Sequence, residues 1–136
     1  MEARDVMTPN PVIVTPPATL AEAWDLMREA DIRHLPVVEA GALVGMLSDR
    51  DLASLDVTRV LTTEGADALR RALATPVVRV MSSDVVSVGV DDDLADVIDL
   101  MLEHKVGAVP AVRPDTRQVV SYVDVLRAVR ELVAEE

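Results

Sequence analysis

The chain repeats itself, and that constrains its fold more than any single residue does. Val6-Met7-Thr8 matches Val80-Met81-Ser82, and Leu20, Met27 and Pro36 match Leu94, Met101 and Pro110. Each of these pairs is separated by 74 positions (81 − 7 for the methionines). Further on, Ser48-Asp49-Arg50-Asp51-Leu52 aligns with Ser121-Tyr122-Val123-Asp124-Val125 at an offset of 73 (121 − 48). One residue has been lost in between, in a hairpin where length costs little. A duplicated unit is the economical reading, and the two copies must then share one fold.

Each copy reads β-α-β-β-α. A Pro-rich opening segment, Thr8-Pro9-Asn10-Pro11, leads to a short strand, Val12-Ile13-Val14, whose counterpart is Val85-Val86-Ser87-Val88. Thr19 with Glu22 three residues on is a capping-box signature, and Asp93 with Asp96 is its acidic echo. Leu20, Ala23, Trp24, Met27 and Ala30 fall at helical spacing, as do Leu94, Val97, Ile98 and Met101. Two strands follow. Leu35-Pro36-Val37-Val38 and the run 42–47 join around Ala40-Gly41, where glycine supplies a positive φ. Val109-Pro110-Ala111-Val112 and Val119-Val120 repeat them around Pro114-Asp115. A second helix starts at Asp49 and its counterpart at Tyr122, the latter running on through Leu126, Val129, Arg130 and Val133. Between the copies, the run 67–73 has a helical pattern that stops before Thr75-Pro76. The expected organisation is a first repeat over 5–55, a partly helical bridge over 56–78 and a second repeat over 79–133. At about 50 residues neither copy buries enough surface alone, so the two are expected to pack together.

Composition narrows the function. Of 136 residues half are apolar and 27% charged, a globular composition. Phenylalanine is absent, and Trp24 and Tyr122 are the only aromatics, so aliphatic side chains must fill the core and Trp24 reads as core or dimer interface. A net charge of −11 argues against nucleic acid, which needs a basic surface and, for single strands, stacking rings. Without cysteine there are no disulfides and no thiolate chemistry. No apolar run reaches membrane-span length and the first residues lack a signal-peptide pattern, so a cytoplasmic protein is expected. His34 and His104 have no metal-ligand neighbour at i+4, which speaks against zinc. The run Asp91-Asp92-Asp93 reads as helix capping in preference to a Mg²⁺ site. No Gly-rich phosphate loop and no nucleophile–base pair is evident, so catalysis is not expected.

The Val-Met-Thr/Ser openings and the Leu/Val-Pro-Val/Ala-Val runs, each followed by a strand ending in Ser-x-x-Asp, resemble the CBS domain. Their tandem order resembles a CBS-domain pair, or Bateman module, over roughly 5–52 and 79–133. The resemblance implies an α+β fold in which two β-α-β-β-α repeats pack through their sheets with pseudo-twofold symmetry. It also implies a regulatory module that requires no cofactor and senses an adenosine ligand (AMP, ADP, ATP or S-adenosylmethionine) in two clefts between the repeats. One cleft would group Thr8, Ile13, Arg33, His34, Ser121 and Asp124. The other would group Ser48, Asp51, Ser82, Ser87, Gly107 and Ala108. A homodimer formed through the helices is implied too, acting on an unknown regulated protein.

The residue types suit that chemistry. An ionised carboxylate is acceptor-only and takes two hydrogen bonds from a vicinal diol. The start of the second helix offers N–H groups to an anion, and Arg33, or His34 when protonated, offers charge-assisted contacts. The copies differ here: Arg33-His34 stands where the second copy has Gly107-Ala108, and Gln118 stands where the first has Gly45. The Asp124 cleft is therefore expected to be better equipped for phosphate. Against this, Ser-x-x-Asp is also what a helix start wants for capping, Arg33 and His34 suit a solvated loop, and Arg50 suits an exposed helix face. The alternative function is a scaffold that keeps the fold without the ligand.

Overall fold

The computed structural model describes residues 1–9, 11–53, 65–113 and 116–134. The Pro114-Asp115 turn and most of the bridge before Gly65 lie outside the described residues. The fold is α+β and divides into two compact units, Met1–Pro11 with Val86–Glu136, and Val12–Val85. Each copy's opening segment thus folds with the other copy's sheet.

The Val12–Val85 unit is built on a hairpin of β2 (His34–Glu39) and β3 (Ala42–Ser48). Its turn places Ala40 and Gly41 at φ 51° and 82°, so glycine fills one of two left-handed positions, as its place in the sequence predicts. The helix α2 (Leu20–Ala30) covers the sheet. Thr19 Oγ1 accepts from the Glu22 N–H at 3.2 Å, and the Glu22 carboxylate accepts from the Thr19 N–H at 3.1 Å, which completes the capping box. Leu20, Ala23 and Met27 turn inward onto Leu35, Val37 and Leu47. A short α3 (Asp49–Ala53) follows β3, and α4 (Gly65–Leu73) falls where the bridge pattern predicts it.

The other unit repeats this plan. Its α1 (Ala3–Val6) precedes β1 (Thr8–Pro9), which pairs antiparallel with β6 (Thr116–Ser121). β6 pairs with β5 (Ala108–Arg113), and β5 runs parallel to β4 (Val88–Gly89), giving the order β1-β6-β5-β4. The helix α5 (Leu94–His104) buries Leu94, Val97 and Met101, and α6 (Tyr122–Ala134) closes the described chain. The Val12–Val85 unit has the same order in reduced form: Ser82 bridges to Met46 on β3, and Val14 bridges to Val37 on β2.

Several expectations are corrected, among them the strand expected over Val85-Val86-Ser87-Val88, which is confined to Val88–Gly89. The strand expected over Val12-Ile13-Val14 shrinks to a single bridge at Val14, because Pro11 before it and Pro16-Pro17 after it carry no N–H for a ladder. Asp93 makes no side-chain cap to α5; the Leu94 N–H instead donates to the Met1 carbonyl at 2.8 Å, just as the Leu20 N–H donates to Thr75 at 2.9 Å. Of the two readings of Trp24, core or dimer interface, the first is overturned. Trp24 stays 47% exposed on α2, and Leu126, Val129 and Val133 are exposed on α6. The run Asp91-Asp92-Asp93, expected to cap the helix, spends its side chains otherwise: Asp91 pairs with Arg4 on α1, and Asp92 accepts from the Gly89 N–H at 2.9 Å. Among the described residues no helix is long and apolar enough to cross a membrane.

Candidate functional site

Asp124 is the one charged residue buried among the described residues, 7% exposed in the first turn of α6. A buried carboxylate needs donors, because losing water without them costs several kcal/mol, on the order of what an unpaired polar group forfeits. Thr8 supplies one. Its Oγ1 lies 3.2 Å from Asp124 Oδ1 and 3.3 Å from Oδ2, so the hydroxyl donates between the two oxygens. β1 brings it there by pairing Thr8 with Val119, and α1, anchored by the fully buried Ala3, fixes the approach of β1. Arg127, three residues along α6, stands 3.8 Å from Oδ1; being largely exposed, it contributes little.

Asp51 accepts at the start of its own helix. Its Oδ2 accepts from the Ser48 N–H at 2.8 Å, and Ser48 Oγ accepts from the Asp51 N–H at 3.3 Å, a reciprocal cap on α3. Beside it, β2 pairs His34 directly with Ser48, and the Asp49 N–H donates to the Arg33 carbonyl at 2.9 Å. Burial holds the His34 imidazole below its ordinary pKa; Asp49 and Asp51 pull it up, while Arg50 and Arg33 push it further down. The opening segment of the second copy closes this unit: the Met46 and Ser82 backbones exchange two hydrogen bonds of 2.9 Å. That approach needs Gly45. A Cβ there would lie 3.0 Å from Met81 Cγ and from the Ser82 carbonyl oxygen, and closer still to Met81 Sδ.

Thr8, Ser121 and Asp124 share one unit, with Ser121 the register partner of Ala108. Ser87, exposed before β4, and Gly107, just before β5, belong to that unit too. Ser48, Asp51 and Ser82 share the other unit with Arg33, His34 and Ile13, the last half-buried beside the Val14 bridge. Ser82 and Arg33 are exposed. The structure thus brings Thr8 to Asp124 and His34 to Ser48 and Asp51. The sequence marks Gly45 only by its mismatch with Gln118; the steric need is a feature of the fold.

Each motif therefore presents a carboxylate at a helix start, an acceptor group that suits hydroxyl donors such as a sugar diol.

The family model of the CBS domain matches residues 3–57 and 77–131. The CBS domain-containing protein YhcV of Bacillus subtilis is 38% identical over 109 residues, spanning 80% of this chain and 71% of its own length. Among solved structures, AcuB of Vibrio cholerae superposes with a TM-score of 0.81 at 30% identity, covering 98% of this chain and 93% of its own. CBSX2, solved in complex with AMP, gives a TM-score of 0.78 at 26% identity, covering 96% and 97%.

Proposed function

Since this chain belongs to the CBS-domain family, with a matched domain in each of its two copies, we propose that it is a regulatory module that binds an adenosine compound and acts by binding, not by turnover. The observation that carries the reading is the Thr8–Asp124 contact, a buried carboxylate held by a hydroxyl from the opening segment of the other copy. The AMP found in CBSX2 supports the ligand class. In this reading Asp124 takes the ribose hydroxyls, with Thr8 and Ser121 beside it. Asp51, Ser48 and Ser82 form the matching group. Ile13, Arg33, His34, Ser87, Gly107 and Ala108 complete the set, Arg33 and His34 being the candidates for phosphate. Occupancy is signalled because the ligand favours the conformation it binds best.

The test is a thermal-shift panel with AMP, ADP, ATP and S-adenosylmethionine. A ligand that binds only the folded protein, at 100 times its Kd, adds about 2.7 kcal/mol. A shift with at least one compound, lost in Asp124→Ala, is the expected result, and chromatography should return the ligand unchanged. No shift with any compound overturns the reading. The reciprocal Ser48–Asp51 cap specifically favours the rival, a ligand-free scaffold, because it gives one motif a structural task. A shift that survives Asp51→Ala would restrict the rival to that motif. We also propose a cytoplasmic homodimer through the apolar helix faces that carry Trp24, Leu126, Val129 and Val133, to be checked by light scattering of the eluted protein.

A further inference from the structure

We infer that Met81 is an oxidation-sensitive latch: conversion of its thioether to the sulfoxide by a peroxide drives the side chain off Gly45 and loosens Ser82 from β3. This input is independent of any nucleotide.

The chain has no cysteine, so all of its sulfur lies in six methionines. Met27, Met46 and Met101 are buried, at 6–8% exposure, and closed to reagents in solvent. Met1 is exposed, and Met7 and Met81 are half-buried against the two cores. Oxidation follows exposure, so these three are the ones a small peroxide reaches.

Met81 occupies a seat with no room to spare. A Cβ on Gly45 would lie 3.0 Å from Met81 Cγ and from the Ser82 carbonyl oxygen, and closer still to Met81 Sδ. The second copy carries Gln118 at the matched position, and a residue with a Cβ cannot offer Met7 the same seat. Beside the seat, Met46 and Ser82 exchange the two backbone hydrogen bonds of 2.9 Å that hold this end of the opening segment to β3. The other end is anchored separately, by the fully buried Val77, whose N–H donates to the Ala18 carbonyl at 2.7 Å.

The chemistry is a two-electron transfer. A sulfur lone pair attacks one peroxide oxygen, the O–O bond breaks and an S–O bond forms. Sulfur is oxidised, the peroxide is reduced, and its second oxygen leaves as water. The product is polar and chiral, with an oxygen that accepts hydrogen bonds. Facing Gly45, that oxygen meets the Ser82 carbonyl, another acceptor. Turned away, it takes the sulfur with it, because methionine has three rotatable bonds. Either way the close contact that Gly45 permits is lost. Methionine sulfoxide reductases return the thioether, so the latch resets.

The experiment is graded hydrogen peroxide treatment of the full chain. Peptide mass spectrometry locates each sulfoxide, and melting temperature and amide exchange are read on the same samples. At a dose that leaves Met27, Met46 and Met101 as thioethers, Met81 should carry the sulfoxide. The melting temperature should then fall by about 3–6 °C. The Met46 and Ser82 amides should lose protection while the Val77 amide keeps it. Methionine sulfoxide reductase should reverse both changes. Met81→Leu, close in volume, should fold and abolish the response, whereas Met7→Leu should leave it intact. If Met81→Leu does not fold, Met81→Ile is read in the same way. Met81 surviving a dose that converts Met1 overturns the proposal, as does a sulfoxide at Met81 with melting and protection unchanged. So does a Met81→Leu protein that falls as far as wild type, or oxidation of the three buried methionines at the same dose, which would mean that the chain unfolds first.

Discussion

The two Ser-x-x-Asp motifs occupy matched places in matched sheets, yet their carboxylates differ in burial. In the Met1–Pro11 and Val86–Glu136 unit, Asp124 is buried and takes a side-chain hydroxyl from β1. In the Val12–Val85 unit, Asp51 is half-buried, caps its own helix, and has a titratable His34 next to its partner serine. Duplication preserved the frame and left the surroundings of the acid free to diverge. The opening segments dock in the same register, Ser82 on Met46 and Thr8 on Val119, but Met81 and Ser82 press onto Gly45 where the second copy has Gln118.

The largest test of that difference is steric. Gly45→Val places carbon where Met81 and the Ser82 carbonyl already sit, and the carbonyl belongs to a backbone held by two hydrogen bonds to Met46. Overpacking of this kind costs about 2–3 kcal/mol. Urea titration should show that loss, while Gln118→Gly should cost under about 1 kcal/mol, as glycine in a strand does. Equal losses from both would mean that the two opening segments dock alike.

Next comes the hydroxyl pair. Thr8 is exposed like Ser82, but Thr8→Val removes a donor from the buried Asp124 carboxylate and should cost about 1 kcal/mol. Ser82→Ala changes an exposed side chain and should stay within about 0.5 kcal/mol. A thermal melt of each variant decides it; similar costs would remove the asymmetry between the motifs.

Much of this frame can be read from residues alone, and the reasons are local. α2 and α5 follow from apolar spacing, and the cap of α2 from Thr19 and Glu22, because a helix is specified by neighbours three and four positions apart. The hairpin at Ala40-Gly41 follows from a glycine that takes a left-handed φ. By contrast, α1 is a single four-residue turn, too short to show a period. That β1 pairs with β6 is a long-range choice that no local pattern encodes; the resemblance grouped Thr8 with Ser121 and Asp124 and named no strand pairing. Trp24 lies on the apolar stripe by spacing, yet remains at the surface because a helix buries only as wide an arc as its sheet covers. The acids themselves stand out by duplication. Their burial does not, since it depends on which opening segment lies over them.

A smaller, pH-dependent difference should separate the motifs. Burial lowers the native pKa of His34, so between that value and the ordinary imidazole range the unfolded chain binds more protons than the folded one. Stability from this group is therefore complete above pH 6.5, declines as pH falls below it, and levels off beneath the lowered native pKa. Asp49 and Asp51 oppose the burial and keep the effect modest. The second copy has Ala108 at this place and contributes nothing of the kind. Melting temperatures of wild type and His34→Gln, followed from pH 7.5 to 5, should show a shallower decline in the variant. A parallel decline would assign the acid sensitivity elsewhere.

The finest comparison lies at the helix ends. α2 and α5 stop alike: Asp31 and Lys105 take left-handed φ values of 52° and 56°, and the next N–H in each, from Ile32 and Val106, reaches back to Met27 and Met101 at 3.0 and 3.1 Å. That geometry asks for glycine, since a Cβ in the left-handed region costs roughly 1–2 kcal/mol, less for aspartate, whose short polar side chain tolerates it. Glycine recovers only part of that cost, because it also loosens the unfolded chain. Lys105→Gly should therefore stabilise the protein by about 1 kcal/mol, and Asp31→Gly by about 0.5 kcal/mol or less. Denaturant midpoints resolve the two, and the order matters more than the sizes. A larger gain at Asp31 would mean that its carboxylate gives the turn no help, and that the ends of the two helices differ by something other than the residue that closes them.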